Sequence, residues 1–383
     1  MSDAPLRAVR LGLLGMAWAA AVACTGSKPE KPAELVGIKQ TLRVQRVWSA
    51  GLGGEPLQRL GLSAAVDGTS VFIADPGGNV QGLQLANGRS LWRKSLRAEL
   101  SGGPGAGSGL VVVGSLNGEV IALSGSNGAE RWRAQVNAEV LSAPAVGAEV
   151  VVVRTVDGKL HGLAARDGSV LWATDQQLPR LTIRGTASPV LSGELALAGF
   201  DNGRLMAVNA ATGATVWDVA IGQSRGNSEL QRLIDIDSRV IIDGDDVFVV
   251  GFQGRVARLS RESGAIVWAR ELSSYRGLAV DGEAIYVSTA DGEVVRLDRA
   301  SGNEQWRQKA LLRRQLSGPA VYNGHVVVAD LEGVVHWLKT ADGSFAARSQ
   351  SGARVSAPLQ VAGGMLLIYN DDGGLRAFRS PAG

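Results

Sequence analysis

DGKLHGLAARDGSVLW, residues 157–172, decides the architecture. Gly158 opens a short alternating apolar stretch, Gly168 closes it, and Trp172 follows four residues later. The same spacing recurs along the chain. Trp92, Trp132, Trp172, Trp217, Trp268 and Trp306 each follow a glycine by four, and each of those glycines follows another by ten. A seventh copy, Gly333 to Gly343, has Ala347 in the tryptophan position, and an eighth begins at Gly373 and ends with the chain. Self-similarity at a period near forty residues is the mark of a repeat architecture and is read before any local feature.

Each unit contains four strand-like segments. In residues 141–172 these are SAPAV, the β-branched run EVVVVRT, the alternating KLHGLAA, and SVLW. Asx-Gly pairs such as Asn117-Gly118, Asp157-Gly158 and Asp291-Gly292 separate the second and third segments. Both residues tolerate positive φ, as tight hairpins require. Four antiparallel strands per unit predict an all-β propeller. No helical periodicity of useful length follows residue 30.

The last unit lacks its tryptophan strand, and TLRVQRVW, ending at Trp48, has no unit of its own. Pairing residues 42–48 with the last unit would close the ring and protect blade edges that otherwise template aggregation. The expectation is eight blades, with seven as the alternative if one unit is degenerate. The tryptophans read as packing between blades, because a ligand site would not need a copy in each. Trp337 lies outside the repeat position and has no assigned role.

The chain of 383 residues has a formal charge of +3 and 51 glycines, which β-branched runs separate. There is no polybasic run, so nothing favours a nucleic-acid partner. Arg7 and Arg10 precede an apolar stretch from Leu11 to Val22, then AVAC. This pattern is a secretory signal, residues 1–23. The single cysteine, Cys24, follows at once and is the expected lipidation site, because an unpaired cysteine in an exported chain otherwise lacks a role. Residues 24–40, rich in Lys, Pro and Glu, read as a flexible tether, and residues 41–383 as the propeller.

Catalytic constellations are missing. His161 and His336 share one repeat position, where other units carry Met206, Ile121 or Ala257, so the position reads as packing. No spacing suggests a metal site or thiol chemistry, and no nucleophile elbow stands at a strand-to-helix turn. No catalytic residue, metal or cofactor is expected.

Regular blades make a scaffold, and irregular connections carry function. Two connections flank the fourth blade: ATDQQLPRLTIRGTASP after Trp172 and DVAIGQSRGNSELQRLIDIDSRV after Trp217. Both run from an outer strand to the next inner strand, so they emerge on one face. Leu181, Ile183 and Arg184 alternate in an extended stretch and suit an interface anchor. Glu229, Arg232, Asp235 and Asp237 bring carboxylates within reach of a basic partner or of Arg184. The plainer alternative is that the aliphatics cover the ring's edge and the aspartates cap turns.

Two resemblances bear on the choice. The repeat resembles that of quinoprotein dehydrogenases, which carry pyrroloquinoline quinone on a propeller, but their paired cysteines have no counterpart here. A lipoprotein signal followed by eight such repeats resembles the BamB (YfgL) family over residues 24–383. LTIRG at 181–185 and SELQRLIDID at 228–237 are similar to the two loops by which that family binds BamA. Leu181, Arg184, Asp235 and Asp237 match position for position, and Ile183 replaces a leucine. The resemblance implies a non-enzymatic subunit of the outer-membrane β-barrel assembly (BAM) complex, lipid-anchored in the outer membrane and facing the periplasm. Its partners would be BamA POTRA domains and unfolded outer-membrane protein clients.

Overall fold

The computed structural model describes residues 31–53, 56, 61–174, 187–222 and 235–381. These residues form strands and turns, with no helix. They build eight blades of four antiparallel strands, and so an eight-bladed propeller; seven blades take those strands in chain order and the eighth takes its outer strand from the N-terminal segment. Blade four, for example, runs through Val190–Ser192, Leu195–Gly199, Arg204–Asn209 and Thr215–Ala220. The first strands of neighbouring blades touch one another around most of the ring, so they line its centre.

Ring closure follows the expected scheme with a small shift. Gln45–Gly51 is the outer strand of blade eight, antiparallel to Gly374–Arg379, with Ala50 opposite Leu375. Ala33 and Val36, expected in the tether, are hydrogen-bonded to the propeller. The amide of Ala33 donates to Leu312 O at 2.9 Å, and the Arg348 guanidinium donates to Val36 O at 2.6 Å. Blade two carries a feature with no repeat signature: Gly61–Leu62 adds a short parallel strand to Leu100–Gly107.

The core lies in layers between blades. Val112, Ala122 and Trp132 of blade two pack on Val151, Val153 and Leu163 of blade three. The repeat tryptophan is the clasp of each layer. The Trp172 indole N–H donates to Ala210 O of blade four at 2.9 Å, and its ring lies on Gly213. Trp132 does the same to Ala165 O and Gly168, and Trp217 to Arg261 O and Gly264. The glycine before each tryptophan therefore receives the ring of the preceding blade. It is held at positive φ, +73° at Gly213, and a Cβ there would stand 2.7 Å from the indole. Burying a ring of this size removes roughly 150–250 Å² from water. That is on the order of 4–6 kcal/mol per clasp at about 25 cal/mol per Å².

Every outer strand carries a β-bulge immediately before the tryptophan position, for example at Leu171, Val216 and Val267. These three residues are exposed aliphatics on free edges. The bulge breaks the regular ladder there, which blunts the edge as a pairing template.

Candidate partner-binding face

Alternation of strand direction puts two kinds of connection at the same end of the propeller: the turn between second and third strands, and the passage from an outer strand to the next blade. The two irregular connections share this face. The first leaves blade three at Thr174, whose amide donates to Leu160 O at 2.8 Å. Its far end is pinned by the Ala143 amide, which donates to Ser188 Oγ at 3.1 Å. The second re-enters at Asp235. The Phe252 amide donates to Asp235 O at 2.7 Å, an antiparallel bridge to the turn of blade five. Ile236 donates from its amide to Phe200 O at 3.3 Å and packs against Gly199, in the turn region of blade four. Residues 235–236 thus wedge between the turns of blades four and five.

Those two turns depart from the others. In five blades a polar side chain accepts a hydrogen bond from the amide four residues later. Asp75 accepts from Asn79, Ser115 from Glu119, Thr289 from Glu293, Asp330 from Val334 and Asn370 from Gly374. Blade three places Thr155 there, with its hydroxyl donating to Lys159 O at 3.3 Å. Blades four and five place Phe200 and Gly251 at this position. The side chain that would brace the turn is replaced by contacts with the incoming connection.

Beneath this face lies a buried charged group. Arg154, at the end of the second strand of blade three, donates from Nη2 to the Asp201 carboxylate in the turn of blade four. Both side chains are almost fully buried, and the Arg154 guanidinium also lies 5.5 Å from the Phe200 ring centroid. Asp235 is buried beside them, and among the described residues neither of its carboxylate oxygens has a hydrogen-bond partner. Burial pushes its carboxyl up to about 9, aided by the charges of Asp201 and Asp237 and partly opposed by Arg154. At neutral pH Asp235 is therefore a protonated acid. Asp237 is half-buried two residues on.

The sequence expectation placed Asp235 and Asp237 together as surface carboxylates for a partner. The structure sets Asp235 under the surface and leaves Asp237 nearer to it. The wedge between the two turns explains the burial of both neighbours: Ile236 packs on Gly199 of blade four while the Asp235 backbone is bridged to Phe252 of blade five. Leu181, Ile183, Arg184, Glu229 and Arg232 lie outside the described residues, as does Cys24. Arg154, Asp201 and Phe252 were not singled out from the sequence. The signal that could have found them is the apolar residue at position 200, where six other units are polar.

The histidines stand elsewhere. His336 is wholly buried in blade seven with Nε2 2.9 Å from Asp330 Oδ2. His161 is buried in blade three, and burial lowers its pKa. Among the described residues no group of three His, Cys, Asp or Glu side chains could hold a metal ion.

The family described as "Outer membrane protein assembly factor BamB" matches residues 76–308 and 290–383. The chain belongs to the BamB family. The Pseudomonas aeruginosa protein "Outer membrane protein assembly factor BamB" is 47% identical over 372 residues, 96% of this chain and 97% of the relative. The Xanthomonas campestris protein of that name is 36% identical, with 97% of each chain covered. The crystal structure of BamB from Moraxella catarrhalis superposes with a TM-score of 0.82 at 27% identity, over 88% of this chain and 100% of that one. A quinohemoprotein alcohol dehydrogenase from Pseudomonas putida shares the fold, with a TM-score of 0.66 at 13% identity, over 88% of this chain and 76% of that one.

Proposed function

We propose that the chain is a non-enzymatic subunit of the outer-membrane β-barrel assembly machinery. It docks the periplasmic POTRA domains of BamA on the face that bears residues 175–186 and 223–238, and it helps deliver unfolded barrel precursors. A lipid at Cys24 would hold it at the outer membrane, facing the periplasm. The match to BamB relatives along nearly the whole chain carries this reading.

The face supplies a physical rationale. Connections that replace a side-chain brace with contacts to a neighbouring loop present a surface of their own, held at both ends by the ring. Leu181, Ile183 and Arg184 would be the anchor, with Glu229, Arg232 and Asp237 around it. Asp235 would act from below: its bridge to Phe252 sets the path of the chain that carries Asp237. A desolvated arginine at an interface centre is worth about 2 kcal/mol or more on truncation, roughly thirtyfold in affinity.

The test is capture of the BamA POTRA domains by residues 25–383, wild type beside Arg184→Glu, with a melting curve for each. Wild-type capture, lost in a variant that melts normally, supports both function and site. Capture by both keeps the function and removes the loop. If neither captures, a dye-linked oxidation assay with pyrroloquinoline quinone tests the enzyme reading that the repeat also permits.

A further inference from the structure

The outer rim at blades seven, eight and one is built from segments that carry basic side chains and no acidic ones. Four segments make it: residues 36–52, 85–98, 344–356 and 373–380, none of which contains Asp or Glu. Acids occur only beyond their ends, as at Glu34, Glu99, Asp342 and Asp372. The segments are distant in sequence, so no charge run announces them. The fold ties them together. Ser49 stands opposite Arg376 where the N-terminal strand closes blade eight. The amides of Thr41 and Leu42 donate to Ala346 O, on the outer strand of blade seven, at 2.8 and 3.2 Å. The Trp48 indole donates to Leu85 O at 3.0 Å and Arg93 Nη2 donates to Leu52 O at 2.9 Å, which brings the outer strand of blade one alongside.

Pairing sets this arc apart from the rest of the rim. Arg133 meets Glu119 and Glu130 in blade two, and Arg204 meets Asp218 in blade four. Arg255 meets Glu271 in blade five, and Arg307 meets Glu293 and Glu304 in blade six. On the arc, Arg43, Arg46, Arg93, Lys94 and Arg379 are exposed and Arg376 is half-buried, and among the described residues no carboxylate pairs with any of them. Like charges meet there: the pKa of Arg376 is lowered, first by burial and then by the charge of Arg46. The whole chain carries a formal charge of only +3, so the surplus is local. A one-signed cluster repels itself and attracts an anionic surface.

The N-terminal segment indicates which surface. The proposed lipid at Cys24 lies nine residues before Ala33, whose amide is bonded to Leu312 O. Nine extended residues reach about 30 Å. Beyond Ala33 the chain passes the outer strand of blade seven at Thr41 and becomes the outer strand of blade eight. The anchored end of the chain therefore runs along the basic arc. We propose that this arc rests on the anionic phospholipid headgroups of the leaflet that holds the lipid. Each Lys or Arg near such a leaflet adds attraction, which fades within a Debye length. Blades eight and one stand across the ring from blades four and five, so the proposed BamA-binding loops stay clear of the membrane. The choice of a membrane rests on the lipid reading. Acylation of the exported chain is read separately, from its mass, so either idea can fail alone.

The experiment is co-sedimentation of the unlipidated chain, residues 25–383, with vesicles of phosphatidylcholine alone or with phosphatidylglycerol at about a third of the lipid, a density comparable to anionic leaflets. Sedimentation with the anionic vesicles only is expected, and it should fall as salt rises from about 0.05 to 0.5 M. The triple variant Arg43→Glu, Arg46→Glu, Lys94→Glu should bind at least about tenfold more weakly with the melting curve of the wild type. A second triple variant with the same charge change, Arg131→Glu, Arg166→Glu, Arg270→Glu, lies on other blades and should bind nearly as wild type. Equal sedimentation with both vesicles overturns the proposal, as does binding that salt leaves unchanged or an equal loss in both triple variants. Sedimentation with neither vesicle also overturns it, and capture by immobilised polyglutamate in that case reassigns the arc to an acidic protein.

Discussion

Trp337 stands directly opposite Ala347 in blade seven and inverts the arrangement of blades one and three. In blades one and three the third strand supplies glycine, Gly82 and Gly162, and the outer strand supplies Trp92 and Trp172. Blade seven exchanges large for small. Topology gives the reason. A repeat tryptophan docks on the turn between third and outer strands of the next blade. Blade eight has no such turn, because its third strand ends at Arg379 and its outer strand comes from the N-terminus. A tryptophan at 347 would lack its carbonyl and its glycine. Trp337 fills the layer from the other side instead, fully buried, 6.1 Å from Tyr322 and donating to Ser349 Oγ at 3.1 Å.

This exchange can be measured. Trp337→Ala should cost about 3–5 kcal/mol of stability, as for other buried aromatic truncations. Ala347→Trp alone should cost about 1–3 kcal/mol by overpacking. The double variant should be more stable than the sum of the two losses, read by chemical denaturation. Strict additivity would mean that the two positions do not share one space.

How much of this was legible from sequence depends on the range of the signal. The blades were, because Gly-to-Trp spacing is local and repeated. Closure by the N-terminus was, because one strand was missing at one end and spare at the other. It was placed at residues 42–48 and is found at Gln45–Gly51. Trp337 was not interpretable, since its partner matters only once the missing turn of blade eight is known. Arg154 and Asp201 lie 47 residues apart on different blades, and nothing local marks either. Gly61–Leu62 lies in a stretch without β-branched residues and pairs only because blade two offers its glycine-rich strand. Of the candidate site, the loops were visible as breaks in the repeat, but the burial of Asp235 depends on a bridge no periodicity encodes.

Glycine substitutions separate two costs. Gly213 and Gly193 both sit at positive φ, +73° and +59°, but a Cβ at Gly193 meets open space while one at Gly213 meets the Trp172 ring. Gly193→Ala should cost on the order of 1 kcal/mol, the left-handed backbone penalty alone. Gly213→Ala should cost at least about 1 kcal/mol more through overpacking of the clasp. Equal denaturation midpoints would show that the ring moves aside freely.

Asp235 makes stability depend on pH. Its carboxyl stays protonated to about pH 9 in the folded chain, while in the unfolded chain it ionises near the ordinary value of 3.8. Between those values the unfolded state binds fewer protons. Stability is therefore complete in acid and is lost as pH rises, by at most about 1.4 kcal/mol per pH unit, until the folded-state value is passed. Asp235→Asn removes the titration and keeps the shape. Its advantage over wild type should grow from pH 5 to pH 8. Parallel stability profiles for the two proteins would show that Asp235 is ionised in the folded chain.

The N-terminal segment should contribute in two unequal steps. Residues 32–40 are tied to the propeller by Ala33, which bonds to Leu312, and by Arg314 and Arg348, which donate to Ala33 O and Val36 O at 2.9 and 2.6 Å. Three such bonds at about 1 kcal/mol each give a modest loss. A chain that begins at Thr41 should remain a folded monomer with a lowered melting temperature. Removing residues through Gly51 strips Trp48 and the whole outer strand from blade eight. The edge Gly374–Arg379 is then open, and its apolar face, with Leu375 and Ala377, loses its cover. An open sheet edge of this kind pairs with other chains. The longer truncation should self-associate, seen as a shift to higher mass in light scattering after size-exclusion chromatography. A monomeric product with native circular dichroism would mean that the ring closes without its N-terminal strand.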